Sequence, residues 1–189
     1  MALRLHEIHP SLVHYPLALF PASVFADLLG CVTGSRALKR LGAKLMPLAA
    51  GSAVATGAAG LVAQEAVKAQ GRAHDLLVTH RNMNLGLIGL SIAMSVLRSR
   101  RVDPGPAYLL AGVAAVGAMS YTAYLGGKMV YEHGLGVRPA GGLDEARSPE
   151  ITRATARDAL QATRTNALHG ARHATQQLRA GEIAPSLRS

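Results

Sequence analysis

The chain has no tryptophan, only two phenylalanines and a single cysteine, Cys31. A lone cysteine excludes an intramolecular disulfide, and without a C-x-x-C-H run haem cannot be attached covalently. No H-E-x-x-H occurs, no glycine-rich phosphate loop follows a strand pattern, and no Ser-His-Asp or Cys-His arrangement is visible, so hydrolysis and group transfer lack their machinery. Charge is also scarce over long stretches: residues 45–66 hold only Glu65, and residues 104–127 hold none. The formal net charge of +9 therefore sits in short loops and in the C-terminal region. Apolar runs separate these cations, so they form no patch for nucleic acid. No cleavable leader is expected either, since no small-residue cleavage site follows a short apolar core near the start. The first apolar run is expected to stay in the protein.

What fills the chain is Ala, Leu, Val and Gly, within a hydrophobic share of 49%. Four apolar segments run from about Pro10 to Val32, Leu45 to Val67, Leu76 to Leu97 and Pro106 to Tyr131. Each is close to the roughly 20 residues that cross ~30 Å of hydrocarbon. Gly51, Ala55 and Ala59 recur every four positions in the second, as do Ala111 and Ala115 in the fourth. Small rows of this kind let helices approach closely in lipid, though Ala and Gly are common enough to produce one by chance. The expected fold is all-α: an integral membrane four-helix up-down bundle over residues 1–138, then a basic tail over 139–189 with an extramembrane helix.

Loop charge sets the orientation. Arg36, Lys39, Arg40 and Lys44 lie between the first two segments, and Arg98, Arg100 and Arg101 with Asp103 between the last two. Short loops rich in Lys and Arg stay cytoplasmic. Both termini then face the periplasm from a bacterial inner membrane. Asp27, in the inner half of the first span, is either a functional group or the partner of Arg36 or Lys44, and the pairing is preferred. Pro16 and Pro21 are expected to bend that span and to open space past His14.

In the tail, Ser148-Pro149-Glu150 reads as a helix start, giving a helix at about 149–180 that stops at Gly181 and Pro185. Arg153, Arg157, Arg164, Arg172 and Arg179 fall on one stripe of it. Such a stripe suits anionic lipid headgroups or an acidic partner, or is simply a solvated face.

The topology carries five histidines, His9, His14, His74, His80 and His133, to the periplasmic side. His14 and His80 each lie about one turn inside their spans, on helices that an up-down bundle places diagonally. Two imidazoles at one depth are what a bis-histidine b-type haem requires. His133 is the substitute ligand, and the Gly126-Gly127 pair near it leaves room for a flat cofactor or a close helix crossing. Arg81 is placed to meet haem propionates, or it is an ordinary interfacial flank. His9 joins His14, His80 and His133 as an alternative set for Zn or Cu. His169 and His173, four apart in the tail, have chelating spacing but no acid or cysteine beside them.

Two segments carry a resemblance. Ile8-His9-Pro10-Ser11-Leu12-Val13-His14-Tyr15-Pro16 resembles the I-H-P-x-x-V-H-F-P opening of the bacterial membrane family "domain of unknown function 2231", with Tyr15 in place of the usual Phe. Gly126-Gly127-Lys128-Met129-Val130-Tyr131-Glu132-His133-Gly134-Leu135-Gly136-Val137 is similar to its closing G-G-x-x-V-Y-x-H-G-x-G-V. Asp27 and His80 match an acid and a histidine that the family also carries. The resemblance covers about residues 5 to 138 and implies four membrane helices. Relatives fused to Rieske or cytochrome-like domains imply, by association, electron transfer.

The function expected from these features is that of an electron carrier or binding protein rather than a catalyst: a haem b protein at the periplasmic side. A Zn or Cu module and a cofactor-free accessory subunit are the alternatives. The expected partners are the lipid bilayer, a periplasmic redox protein and further copies of the protein.

Overall fold

The computed structural model describes residues 3–100 and 103–188; Arg101, one of the loop cations above, lies outside them. A single 3-10 turn, Leu5–Glu7, leads into α1 (Ile8–Leu12) and α2 (His14–Thr33). Then come α3 (Arg36–Ala63), α4 (Arg72–Ser99), α5 (Pro106–Tyr131) and α6 (Ala156–Arg179). Among the described residues there are no strands, only isolated bridges pairing Arg4 with Glu150, Val67 with Leu143 and Leu135 with Gly142. The molecule divides into two compact units. One comprises Met1–Ser11, Gly57–Met83 and Thr122–Ser189, the other Leu12–Thr56 and Asn84–Tyr121.

Three segments, Leu5–Thr33, Arg36–Ala66 and Pro106–Tyr131, are long and apolar enough to cross a membrane. α4, the expected span at about 76–97, is not among them. Its 28 residues suffice in length. Composition is the reason: Arg72, His74, Asp75, His80, Arg81, Asn82 and Asn84 crowd its first half. A charge near the centre of a span costs about 2.5–3.5 kcal/mol on insertion scales.

The unit of Leu12–Thr56 and Asn84–Tyr121 buries several polar groups and exposes large apolar ones. Ser23, Asp27, Thr56, Ser91 and Arg98 are buried, whereas Phe25, Val32 and Leu110 are 62%, 84% and 72% exposed. Water would favour the reverse arrangement; hydrocarbon tolerates it because the polar groups satisfy one another. Four helices supply its apolar core: Phe20 and Val24 from α2, Met46 and Ala49 from α3, Met94 from α4 and Ala115 from α5.

Two details of this unit follow from its covalent structure. Pro16 has no N–H, so the carbonyl of Leu12 loses its helical donor; the Thr56 hydroxyl of α3 donates to that oxygen instead, at 3.3 Å. The helical break comes at Val13, one residue before His14. Asp27 is paired with Arg98, not with Arg36 or Lys44: Nε and Nη2 of Arg98 donate to the two carboxylate oxygens at 3.0 and 2.8 Å. Gly42 of α3 packs directly on that carboxylate, and the Ser23 hydroxyl donates to the Gly42 carbonyl at 2.8 Å. Lys39 meets Asp103 at 2.6 Å instead and holds that exposed carboxyl below the usual carboxylate range. By contrast, Gly51 of the expected small row faces open space, and Ala55 is exposed.

In the other unit the tail is part of the fold. α6 begins at Ala156 rather than near Pro149. Ser148 cannot cap a helix because its side chain is buried and its oxygen serves His6: the His6 backbone N–H donates at 3.0 Å, and His6 Nδ1 lies 2.7 Å away. The Pro149 carbonyl accepts from Leu5 N–H at 3.2 Å. Arg153 consequently precedes the helix and leaves the stripe. α6 buries Ala159, Asn166, Gly170 and Ala174. Small residues bring it so close to α3 that Gly170 meets the Leu61 carbonyl and the Gln64 side chain.

Candidate functional site

Within the unit of Met1–Ser11, Gly57–Met83 and Thr122–Ser189, two imidazoles are each laid against a glycine. The His9 ring stands 3.2 Å from where a Cβ on Gly60 would be, and His80 stands 3.4 Å from the corresponding point on Gly126. Gly126 lies one turn beyond Thr122 on α5, and the His80 ring packs beside it and reaches the Thr122 carbonyl. That oxygen accepts a hydrogen bond from His80 Nδ1 at 2.9 Å. A carbonyl can only accept, so the Nδ1 proton is fixed, and in the neutral ring Nε2 is the basic nitrogen. His9 lies near His80.

His133 follows the end of α5. Gly134 takes a left-handed φ of 62° and closes the helix: Gly134 N–H donates to the Val130 carbonyl and Leu135 N–H to the Met129 carbonyl, both at 3.0 Å. The 5→1 bond from Gly134 makes this an αL stop, where a side chain at position 134 would be strained. Gly142 packs on the Gly134 carbonyl. Gly134 of the closing motif thus has structural work, and His133 is left with a buried Nε2 that has no hydrogen-bond partner among the described residues.

The other expected residues are placed differently. His14 is exposed and belongs to the unit of Leu12–Thr56. His74 Nε2 accepts from the Gln177 side-chain amide at 3.1 Å. Arg81 is buried but already engaged: Nε and Nη2 donate to Asn82 Oδ1 at 3.0 and 2.9 Å, and Nη1 donates to Gln177 at 2.7 Å. Asn82 in turn donates to the Glu182 and Ile183 carbonyls at 2.7 and 3.0 Å. Thr79 accepts from Ser186 N–H at 3.1 Å. The polar half of α4 is therefore covered by the end of α6 and the residues that follow it.

Sequence reasoning missed Glu65 as the hub of this region. Its carboxylate is 5% exposed and meets His173 Nδ1 at 2.9 Å and Arg147 at 3.3 Å. The signal was its isolation: it is the one charge in residues 45–66. A cleft of about 390 Å³ lies beside it, lined by Gln64, Glu65, His74, Arg81, Arg147 and His173 among others. Most of these polar groups are bonded to one another. Among the described residues, no three or more of His, Cys, Asp and Glu lie close enough to share a metal ion.

Apolar helices of spanning length, polar groups turned inward and a histidine-bearing end define a helical membrane protein. The chain belongs to the family described as "Predicted membrane protein (DUF2231)", whose model matches residues 5–139. No curated protein and no solved structure matches it.

Proposed function

We propose that the protein is an up-down four-helix module of the bacterial inner membrane, with both termini in the periplasm, and that its histidine end binds a b-type haem for electron transfer. The observation that supports this reading is His80, whose Nδ1 is held by the Thr122 carbonyl, so that Nε2 is the nitrogen that would ligate iron. Metal-binding histidines are generally oriented through a hydrogen bond of this kind. Glycine at positions 60 and 126 gives the rings of His9 and His80 close seats, and His133 offers a further buried nitrogen. Bound haem would supply a one-electron couple tuned by its axial ligands.

Zn or Cu is the weaker alternative. Such sites take three or four protein ligands, and no group of three is assembled among the described residues; a bis-histidine haem needs two.

Protein purified from haem-replete cells should give a reduced-minus-oxidised b-haem difference spectrum. His80→Ala should abolish it, and a panel of His9→Ala, His14→Ala and His133→Ala should identify the second ligand. Colourless, metal-free protein would overturn the reading in favour of a cofactor-free accessory subunit. Stoichiometric zinc or copper without a Soret band would favour the metal module.

A further inference from the structure

α6 has two unlike faces. Ala159, Asn166, Gly170 and Ala174 are buried, and Asn166 also donates to the Arg147 carbonyl at 2.9 Å. On the opposite side Arg157, Arg164, Arg172 and Arg179 are exposed. At about 100° per residue these four fall within an arc of roughly 80°, along ~33 Å of helix. None forms a salt bridge with a described acid, although ten other pairs do form among the described residues. We propose that this face binds the anionic headgroups of phospholipids, so that α6 is an interfacial helix.

Two further observations select lipid over an acidic protein. First, the docked face is fixed to the end of the Arg36–Ala66 span: Gly170 packs on Leu61, and His173 pairs with Glu65. That holds α6 at the level where a spanning helix leaves hydrocarbon. Second, Leu168 lies inside the arginine arc and is 61% exposed, while Leu160 and Leu178 flank it at 54% and 43%. Leucines interleaved with arginines on one unpartnered face suit the boundary between headgroups and acyl chains.

The test uses the full-length protein in nanodiscs of phosphatidylcholine mixed with increasing phosphatidylglycerol. A fluorophore is attached through Gln161→Cys in a Cys31→Ser background, with a quencher on the lipid headgroup; Gln161 is exposed within the arginine arc. Quenching should rise with phosphatidylglycerol and fall with added salt. Each Arg→Gln change at 164 or 172 should weaken lipid affinity about fivefold. Equal quenching in pure phosphatidylcholine, or quenching indifferent to salt, overturns the proposal even if the arginine variants fail to fold. Protection of the probe by poly-glutamate, with no response to phosphatidylglycerol, overturns it in favour of an acidic protein.

Discussion

Arg98 closes both oxygens of Asp27 in a two-pronged ion pair that joins α4 to α2, with the two side chains 1% and 0% exposed. Arg98 Nη2 also donates to the Lys39 carbonyl, so the pair ties α3 into the same node. A guanidinium suits this position because its planar fork satisfies two oxygens at once.

Removing one partner strands the other charge in the interior. Asp27→Ala should cost about 3–5 kcal/mol, because the buried arginine then loses its counter-ion. The double variant Asp27→Ala/Arg98→Met should recover most of that loss. Thermal melting in detergent checks the order, and a double variant no more stable than the single would show that the pair is not the source of the defect.

Gly42 and Gly51 lie on the same helix and should respond oppositely to alanine. A Cβ on Gly42 would enter the Asp27 carboxylate, which Arg98 holds in place, so Gly42→Ala should destabilise by about 1–3 kcal/mol through overpacking. A Cβ on Gly51 meets nothing. Gly51→Ala should therefore be neutral or stabilise by up to about 1 kcal/mol, the usual helix-interior difference. Melting temperatures of the two variants side by side decide this; equal losses would refute it.

The same two glycines show what the sequence could reveal. Apolar length located α2, α3 and α5, because helix and bilayer dimensions act on local composition. Which helix face meets which neighbour is a long-range fact. Gly51 belongs to a regular small row yet opens on space, while Gly42 belongs to no row and makes the tight contact. Asp27 was conspicuous as an acid in a span, but its partner lies 71 residues away and looked like a loop cation. Ser148-Pro149-Glu150 has the local pattern of a helix start, yet the Ser148 oxygen is taken by His6 instead. At the histidine end, His80 stood out by residue type, whereas the glycine seats and the Thr122 carbonyl depend on α4 meeting α5.

The docking of α6 depends on one position more than on any charge. Gly170 sits against the Leu61 carbonyl and the Gln64 side chain, and backbone cannot retreat as a flexible side chain can. Gly170→Val should therefore lift the helix, breaking the Glu65–His173 contact and uncovering Arg81 and Asn82, whose partners lie in and just after α6. Ala174→Gly, on the same face, only removes a methyl group and costs about 1 kcal/mol of helix propensity. Limited trypsin digestion in detergent separates the two, since Arg157, Arg164, Arg172 and Arg179 are cleavage sites along the helix. Gly170→Val should be cut at least about tenfold faster than the parent, because digestion of a locally opened segment follows the population of the open form. Ala174→Gly should stay within a few-fold of the parent. Equal protection of Gly170→Val would mean that α6 is held by its hydrogen bonds and ion pairs rather than by the close backbone approach that this glycine permits.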